Sequence, residues 1–299
     1  MYAYINYLQG ENLNMANGTL KILPDSQKTY CKYAYTYGGT TYSDIHTFTT
    51  GGRTSQSIAP AISTSKVSLS ELNPASVSAN KVIAKTNACM YEYDINQFYG
   101  FFYQGAGYPM YFNQYAYDAV PDNHPMYTTH NYWPSFCVKK DGTSAIRWFE
   151  SAQDLRTALP YCKCVIAAVH PLVFNGKCVL NERVTDNEPS KSLIYDPQNP
   201  NNENLRFKIT AGAPMGNRKR TLLGHLKGVS GQYIMVCTDS AMTIKVAANM
   251  MQDMNCDYAV ASDGGTPSQM RIKSGYGANG KVTANPGAPL HTAVCAHLV

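Results

Sequence analysis

Asp263 is followed at once by Gly264 and Gly265, so a carboxylate stands where the backbone is bare and can turn sharply. Such an acid can move a proton or stabilise positive charge, and the glycines can present amide N–H groups to a ligand. Asp-Gly is also a common hairpin dipeptide, so a simple turn is the competing reading. A second stretch able to do chemistry runs from Tyr91 to Tyr132, rich in aromatic residues and punctuated by Gly and Pro. It is too long for an ordinary connection inside a compact domain. Its rings could stack on the apolar faces of a sugar, with Asp94, Asn96, Gln104 and Asn113 bonding to hydroxyls. Packing of a large insertion onto the core explains the same rings equally well. His124 and His130 are acid or base candidates within it, although a loop histidine is more often a surface polar residue.

The element that must position Asp263 is legible upstream. Ile244, Val246, Ala247, Met250, Met251 and Met254 recur at helical period, and Thr243 is placed to cap the first turn. Asn255 can adopt the left-handed conformation that ends a helix. Cys256 to Ser262 is then a short apolar run suited to a buried strand, which delivers the acid.

Two further segments precede this one. Lys85-Thr86-Asn87-Ala88-Cys89-Met90 follows an expected strand over 81–86, and Arg220-Thr221-Leu222-Leu223-Gly224 opens a later one. With Asp263-Gly264-Gly265-Thr266-Pro267-Ser268, these resemble, in the same order, three segments of the phosphodiester glycosidase family: Asn-Ala/Gly-Gly-Phe-Phe, Arg-Thr-Ala-Ile-Gly and Asp-Gly-Gly-Gly-Ser. Tyr132 to Phe136 with Asp141-Gly142, and Leu172 to Gly176, are similar to that family's strand-and-turn connections. The resemblance spans roughly residues 78 to 299. Cys89-Met90-Tyr91 stands where the family has Gly-Phe-Phe, and the third glycine and serine of the last segment are replaced or displaced.

The resemblance implies a hydrolase that cleaves a sugar 1-phosphodiester of the N-acetylglucosamine type. That reaction needs a cation for the phosphate, polar groups for the sugar, and a carboxyl group at the anomeric carbon. By the resemblance the catalytic residues are Asp263 as the carboxylate, Arg220 as a bidentate fork for phosphate, and Asn87 as an orienting amide. Gly264, Gly265, Thr221, Ser268, Asp239 and Asp94 are expected to bind substrate. Asp239, Glu92 and Asp94 all stand as the second carboxylate, which leaves inverting and retaining mechanisms open. No cofactor is expected; Ca2+ is compatible with an acidic phosphate site, but no ligand spacing demands a metal. Two other classes remain: a phosphodiesterase acting on a nucleotide or polymer linkage, and a phage tail or surface component that holds glycans without cutting them.

Composition bounds these readings. The chain has 299 residues, a net charge of +5, 15% charged residues and 23 tyrosines. Its Lys and Arg are scattered apart from Arg218-Lys219-Arg220, which argues against a nucleic-acid partner. No run of about eighteen apolar residues could span a bilayer, and the N-terminus has no basic segment followed by an apolar one. The nine cysteines are odd in number and sit mostly in apolar, strand-like runs, which points to buried free thiols and folding in a reducing compartment.

Residues 1–52 are expected to form a separate β segment. Thr29 to Thr50 alternates around Gly38-Gly39 and resembles the last two strands of a fibronectin type III module, either as a truncated module or as a hairpin packed on the main domain. Residues 53–79, rich in Ser, Thr, Ala and Pro, are expected to be a linker or an irregular surface wrap, and 80–299 the main domain. The expected fold class is α+β, with β-rich mixed sheets and few helices.

Overall fold

The structure, a computed structural model, describes residues 12–22, 29–51, 55–88, 91–92, 97–98, 100–108, 110–112, 134–149, 152–179, 193–194, 207–208, 216–276, 282–284 and 288–299. Asp94, Asn96, Asn113, His124, His130 and Cys89 therefore lie outside the described residues.

Among the described residues three larger sheets, two two-stranded ones and one substantial helix organise the fold. In the largest sheet the strands run in the order Asn12–Asn14, Thr19–Ile22, Tyr30–Tyr37, Thr40–Thr49, Tyr233–Thr238, Thr221–Leu226, Cys256–Ala261, His170–Phe174 and Lys177–Cys178. A second sheet has the order Val282–Ala284, Gln269–Ile272, Val82–Asn87, Leu290–Leu298 and Gln56–Val67. A third places Cys162–Ala167 between Phe101–Tyr103 and Pro134–Lys139. Every strand pair among the described residues is antiparallel. The fold is nearly all-β, which corrects the expected α+β class with mixed sheets. Parallel pairing needs long crossovers, usually helical, and among the described residues only two α-helices, Ala152–Ala158 and Ile244–Asp253, are present.

The helix over Ile244–Asp253 forms as its sequence requires. Thr243 Oγ1 accepts the Val246 N–H at 3.3 Å, and Asn255 ends the segment at φ 63°. Ile244, Val246, Ala247, Met250 and Met251 are buried against one face of the largest sheet, where they meet Leu222, Ile234 and Ala259. Gly224, the last residue of the Arg-Thr segment, permits this approach. A Cβ there would lie 2.7 Å from Cys256 Sγ and 2.8 Å from Met251 Cε. The opposite face of the sheet carries Leu223, Met235, Cys237 and Val260, packed with Ile83 and Met270 of the second sheet and Phe136 and Ile166 of the third.

The N-terminal hairpin belongs to the largest sheet. Thr40–Thr49 hydrogen-bonds Tyr233–Thr238, with Thr47 opposite Val236. Tyr33, Tyr35 and Ile45 share the helix-side core, and Asp253 anchors the hairpin by accepting from Tyr35 Oη at 2.8 Å and Asn17 Nδ2 at 2.9 Å. A fibronectin module would close its strands on its own sandwich, and that resemblance finds no support here, since Thr40–Thr49 joins the largest sheet. Gln56–Val67, within the expected linker, is a twelve-residue strand paired with Leu290–Leu298. It lies at the sheet's edge, where Pro60 removes no needed ladder bond.

No disulfide joins two of the eight described cysteines, and all of them except Cys178 are buried. No helix among them is long and apolar enough to cross a membrane.

Candidate active site

Antiparallel pairing brings several strand ends to one edge of the structure. Thr221 begins its strand where Ala261 ends the neighbouring one, and Ser262 N donates to Thr221 O at 2.8 Å. Thr238 closes the strand on the other side, its N–H bonding Arg220 O at 2.9 Å. Asn87, at the end of Val82–Asn87 in the second sheet, joins the two layers there.

Asn87 is 1% exposed, and three hydrogen bonds consume its side chain. Its Oδ1 accepts from Thr221 Oγ1 at 2.7 Å and from Gln269 N at 3.0 Å, and its Nδ2 donates to Asp263 O at 2.9 Å. The Asp263 N–H bonds Ala88 O at 3.0 Å. Both peptide groups of Asp263 are thereby tied to one short segment, which fixes the carboxyl's starting direction. Asn87, expected to orient a reacting group, spends its amide on protein groups, the Asp263 carbonyl among them. Thr221, expected to touch substrate, is fully buried and spends its hydroxyl on Asn87.

Burial raises the Asp263 carboxyl from its usual 3.8 to about 7, against the opposing pulls of the Gly264 N–H and the positive charge of Arg218. The residue as a whole is partly exposed. A group in this condition exchanges protons near neutral pH.

Arg220 is 3% exposed and is not an open fork. Its Nε donates to Met242 O at 2.9 Å and its Nη2 to Gly216 O. It forms a buried positive floor beneath the glycine turn: a Cβ on Gly264 would stand 3.7 Å from Arg220 Nη1 and 2.8 Å from Lys219 O. Gly265, at φ 77°, donates its N–H to Lys219 O at 2.8 Å. Both glycines are required, one for close approach and one for its left-handed backbone. Ser268 is fully buried, with its N–H on Gly265 O at 3.1 Å and its Oγ without a hydrogen-bond partner, so it faces the protein interior.

Three neighbours were not singled out from sequence. His170, opposite Ala261, is buried with Nε2 unpartnered, and burial together with the Arg220 charge drives its pKa down to about 3. It is therefore a neutral imidazole. His46 joins Tyr30 Oη at 2.7 Å to Asp239 Oδ2 at 3.1 Å, while Lys219 Nζ lies 3.5 Å from Asp239 Oδ1. Asp239 is thus half-exposed and already paired on both oxygens. His46 and Tyr30 come from the N-terminal hairpin, and only sheet pairing could have revealed them. Gln104, expected to bond sugar hydroxyls, is buried and accepts the Ala75 N–H at 2.7 Å. Among the described residues no group of three or more His, Cys, Asp and Glu is arranged to hold a metal ion.

A family model described as phosphodiester glycosidase matches residues 80–297. No curated protein matches the sequence. Among solved structures, the chain is similar to the catalytic domain of zebrafish N-acetylglucosamine-1-phosphodiester alpha-N-acetylglucosaminidase, auto-inhibited by its pro-peptide. Identity is 15%, coverage is 97% of this chain and 86% of that one, and the TM-score is 0.54. It is also similar to a hypothetical protein from Synechocystis at 10% identity, covering 94% of this chain and 64% of that one, with a TM-score of 0.52. Identities this low speak for the fold alone. The family model carries more, since its span takes in Asn87, Arg220, Asp263 and the helix that backs them. On that match the chain belongs to the phosphodiester glycosidase family and is a hydrolase of the glycosidase type.

Proposed function

We propose that this hydrolase acts on a sugar 1-phosphodiester of the N-acetylglucosamine type and frees the sugar by cleaving the bond between its anomeric carbon and the phosphate oxygen. The observation that carries this reading is Asp263, a carboxyl raised to about 7 at the rim of a glycine turn over a buried arginine. The zebrafish enzyme of similar fold is named for an N-acetylglucosamine 1-phosphodiester, which supports the substrate class.

In hydrolysis a water oxygen bonds to the anomeric carbon while the carbon–oxygen bond to phosphate breaks. The bonding pair leaves on the phosphate oxygen, and the water must lose a proton. Asp263 takes that proton, and a carboxylate of raised pKa is a stronger base than an ordinary one. Arg220 favours the negative charge of the departing phosphate through its field. Asn87 keeps the Asp263 backbone from drifting, since a misplacement of about 1 Å can cost roughly 100-fold in rate.

The test is release of free sugar from an N-acetylglucosamine 1-phosphodiester. The wild type should turn over, and Asp263→Asn should be slower by roughly 100-fold to 10,000-fold while still binding. A wild-type protein that releases no sugar at any pH would overturn the reading.

A further inference from the structure

We propose that Arg218, rather than Arg220, is the residue that grips the substrate's phosphate, with Arg220 positioning it. The inference rests on the function proposed above and assigns the anion site within it.

A phosphodiester presents two non-bridging oxygens that share one negative charge, and the matching protein group is an arginine edge with two parallel N–H donors. Arg220 cannot offer its Nε/Nη2 edge, because those atoms already donate to Met242 O and Gly216 O in a site that is 3% exposed. Turning that edge to a ligand would break two buried hydrogen bonds, at a cost comparable to what the phosphate contact returns.

Those bonds hold the backbone that carries Arg218. Arg218 N donates to Met242 O at 3.2 Å, and Met242 N donates to Arg218 O at 2.8 Å, so Met242 O serves both arginines. Arg218 itself is exposed, and among the described residues no hydrogen bond or ion pair uses its guanidinium. Its side chain runs alongside the glycine turn: a Cβ on Gly265 would lie 3.7 Å from Arg218 Nη1 and 3.9 Å from Arg218 Cδ. Consecutive glycines thus face different arginines, Gly264 the buried one and Gly265 the exposed one. The exposed charge is near enough to act on the Asp263 carboxyl. A phosphate held by Arg218 would therefore sit beside Asp263, with the Gly265 backbone bare between them.

The experiment measures binding of N-acetylglucosamine 1-phosphate by calorimetry, together with thermal stability, and sugar release where the wild type has it. Arg218→Ala should weaken binding roughly 10-fold to 100-fold and raise KM similarly, with Tm unchanged. Arg218→Lys should recover part of the binding, as a cation without the fork. Arg220→Ala should instead lower Tm, because it removes the buried guanidinium bonds to the Met242 and Gly216 carbonyls. If Arg218→Ala binds the probe like wild type, the assignment is wrong even when the enzyme is active. If the wild type binds the probe through Arg218 but frees no sugar from the diester, the anion site stands and the proposed reaction falls.

Discussion

Replacing Asp263 by Asn should make the protein more stable at alkaline pH while removing its activity. An ordinary aspartate loses its proton near 3.8, and the folded chain holds this one until about 7. Between those values the folded state binds a proton that the unfolded chain has released. Native stability from this group is thus fully present below about pH 4 and is lost as pH rises to about 7. Above that the charged carboxylate must be kept where it is poorly hydrated. At about 1.36 kcal/mol per pH unit the difference approaches about 4 kcal/mol. Partial exposure of the residue screens the charge and reduces this to about 2 kcal/mol. Asn carries no charge, and its Oδ1 can still accept the Gly264 N–H. For a chain this long about 2 kcal/mol corresponds to roughly 4 °C in Tm. Asp263→Asn should therefore melt about 4 °C higher than wild type at pH 8 and together with it near pH 4, read by calorimetry across the range. A variant that melts with or below the wild type at pH 8 would refute the claim that burial governs this carboxyl.

Three other substitutions probe the surroundings. Asn87→Ala leaves the Thr221 hydroxyl, the Gln269 N–H and the Asp263 carbonyl without their partner, and should cost about 3 kcal/mol or more. A urea midpoint equal to wild type would show that water replaces the amide. Gly264→Ala forces a Cβ to within 2.8 Å of Lys219 O, the atom that receives the Gly265 N–H, so the turn must shift. Its kcat should fall by about tenfold or more with the fold retained by circular dichroism, and an unchanged kcat would mean the turn's position is not critical. Met250→Asp buries an unpaired charge between helix and sheet, where the native side chain is fully enclosed, and should cost upwards of about 4 kcal/mol. A Tm within a degree or two of wild type would contradict the packing of that helix.

The helix over Ile244–Asp253 and the strand after it were legible because their signals are local. A period of 3.6, a threonine cap and an asparagine at the left-handed position act within a few residues of one another. The order of the three short segments around Asn87, Arg220 and Asp263 was likewise readable, and strand ends bring all three to one edge. Sheet membership was not. Alternation in Tyr30–Tyr37 and Thr40–Thr49 announces a hairpin but says nothing about which strand lies beyond it, and the partner is nearly two hundred residues away. Gln56–Val67 hid for the opposite reason, since Ser, Thr and Pro are compatible with an edge strand as well as with a linker.

What each site residue does was decided by the tertiary structure. Sequence alone determined that an arginine would begin one strand and an aspartate would follow another. Which arginine keeps an open donor edge depends on where the carbonyls of Met242 and Gly216 fall, and these come from segments that only folding brings beside Arg220. The acidity of Asp263 depends likewise on how much water the surrounding strands exclude. Hydrogen-bond commitment and desolvation arise from neighbours in space, whereas capping and periodicity arise from neighbours in the chain, and only the second kind is written in the order of the residues.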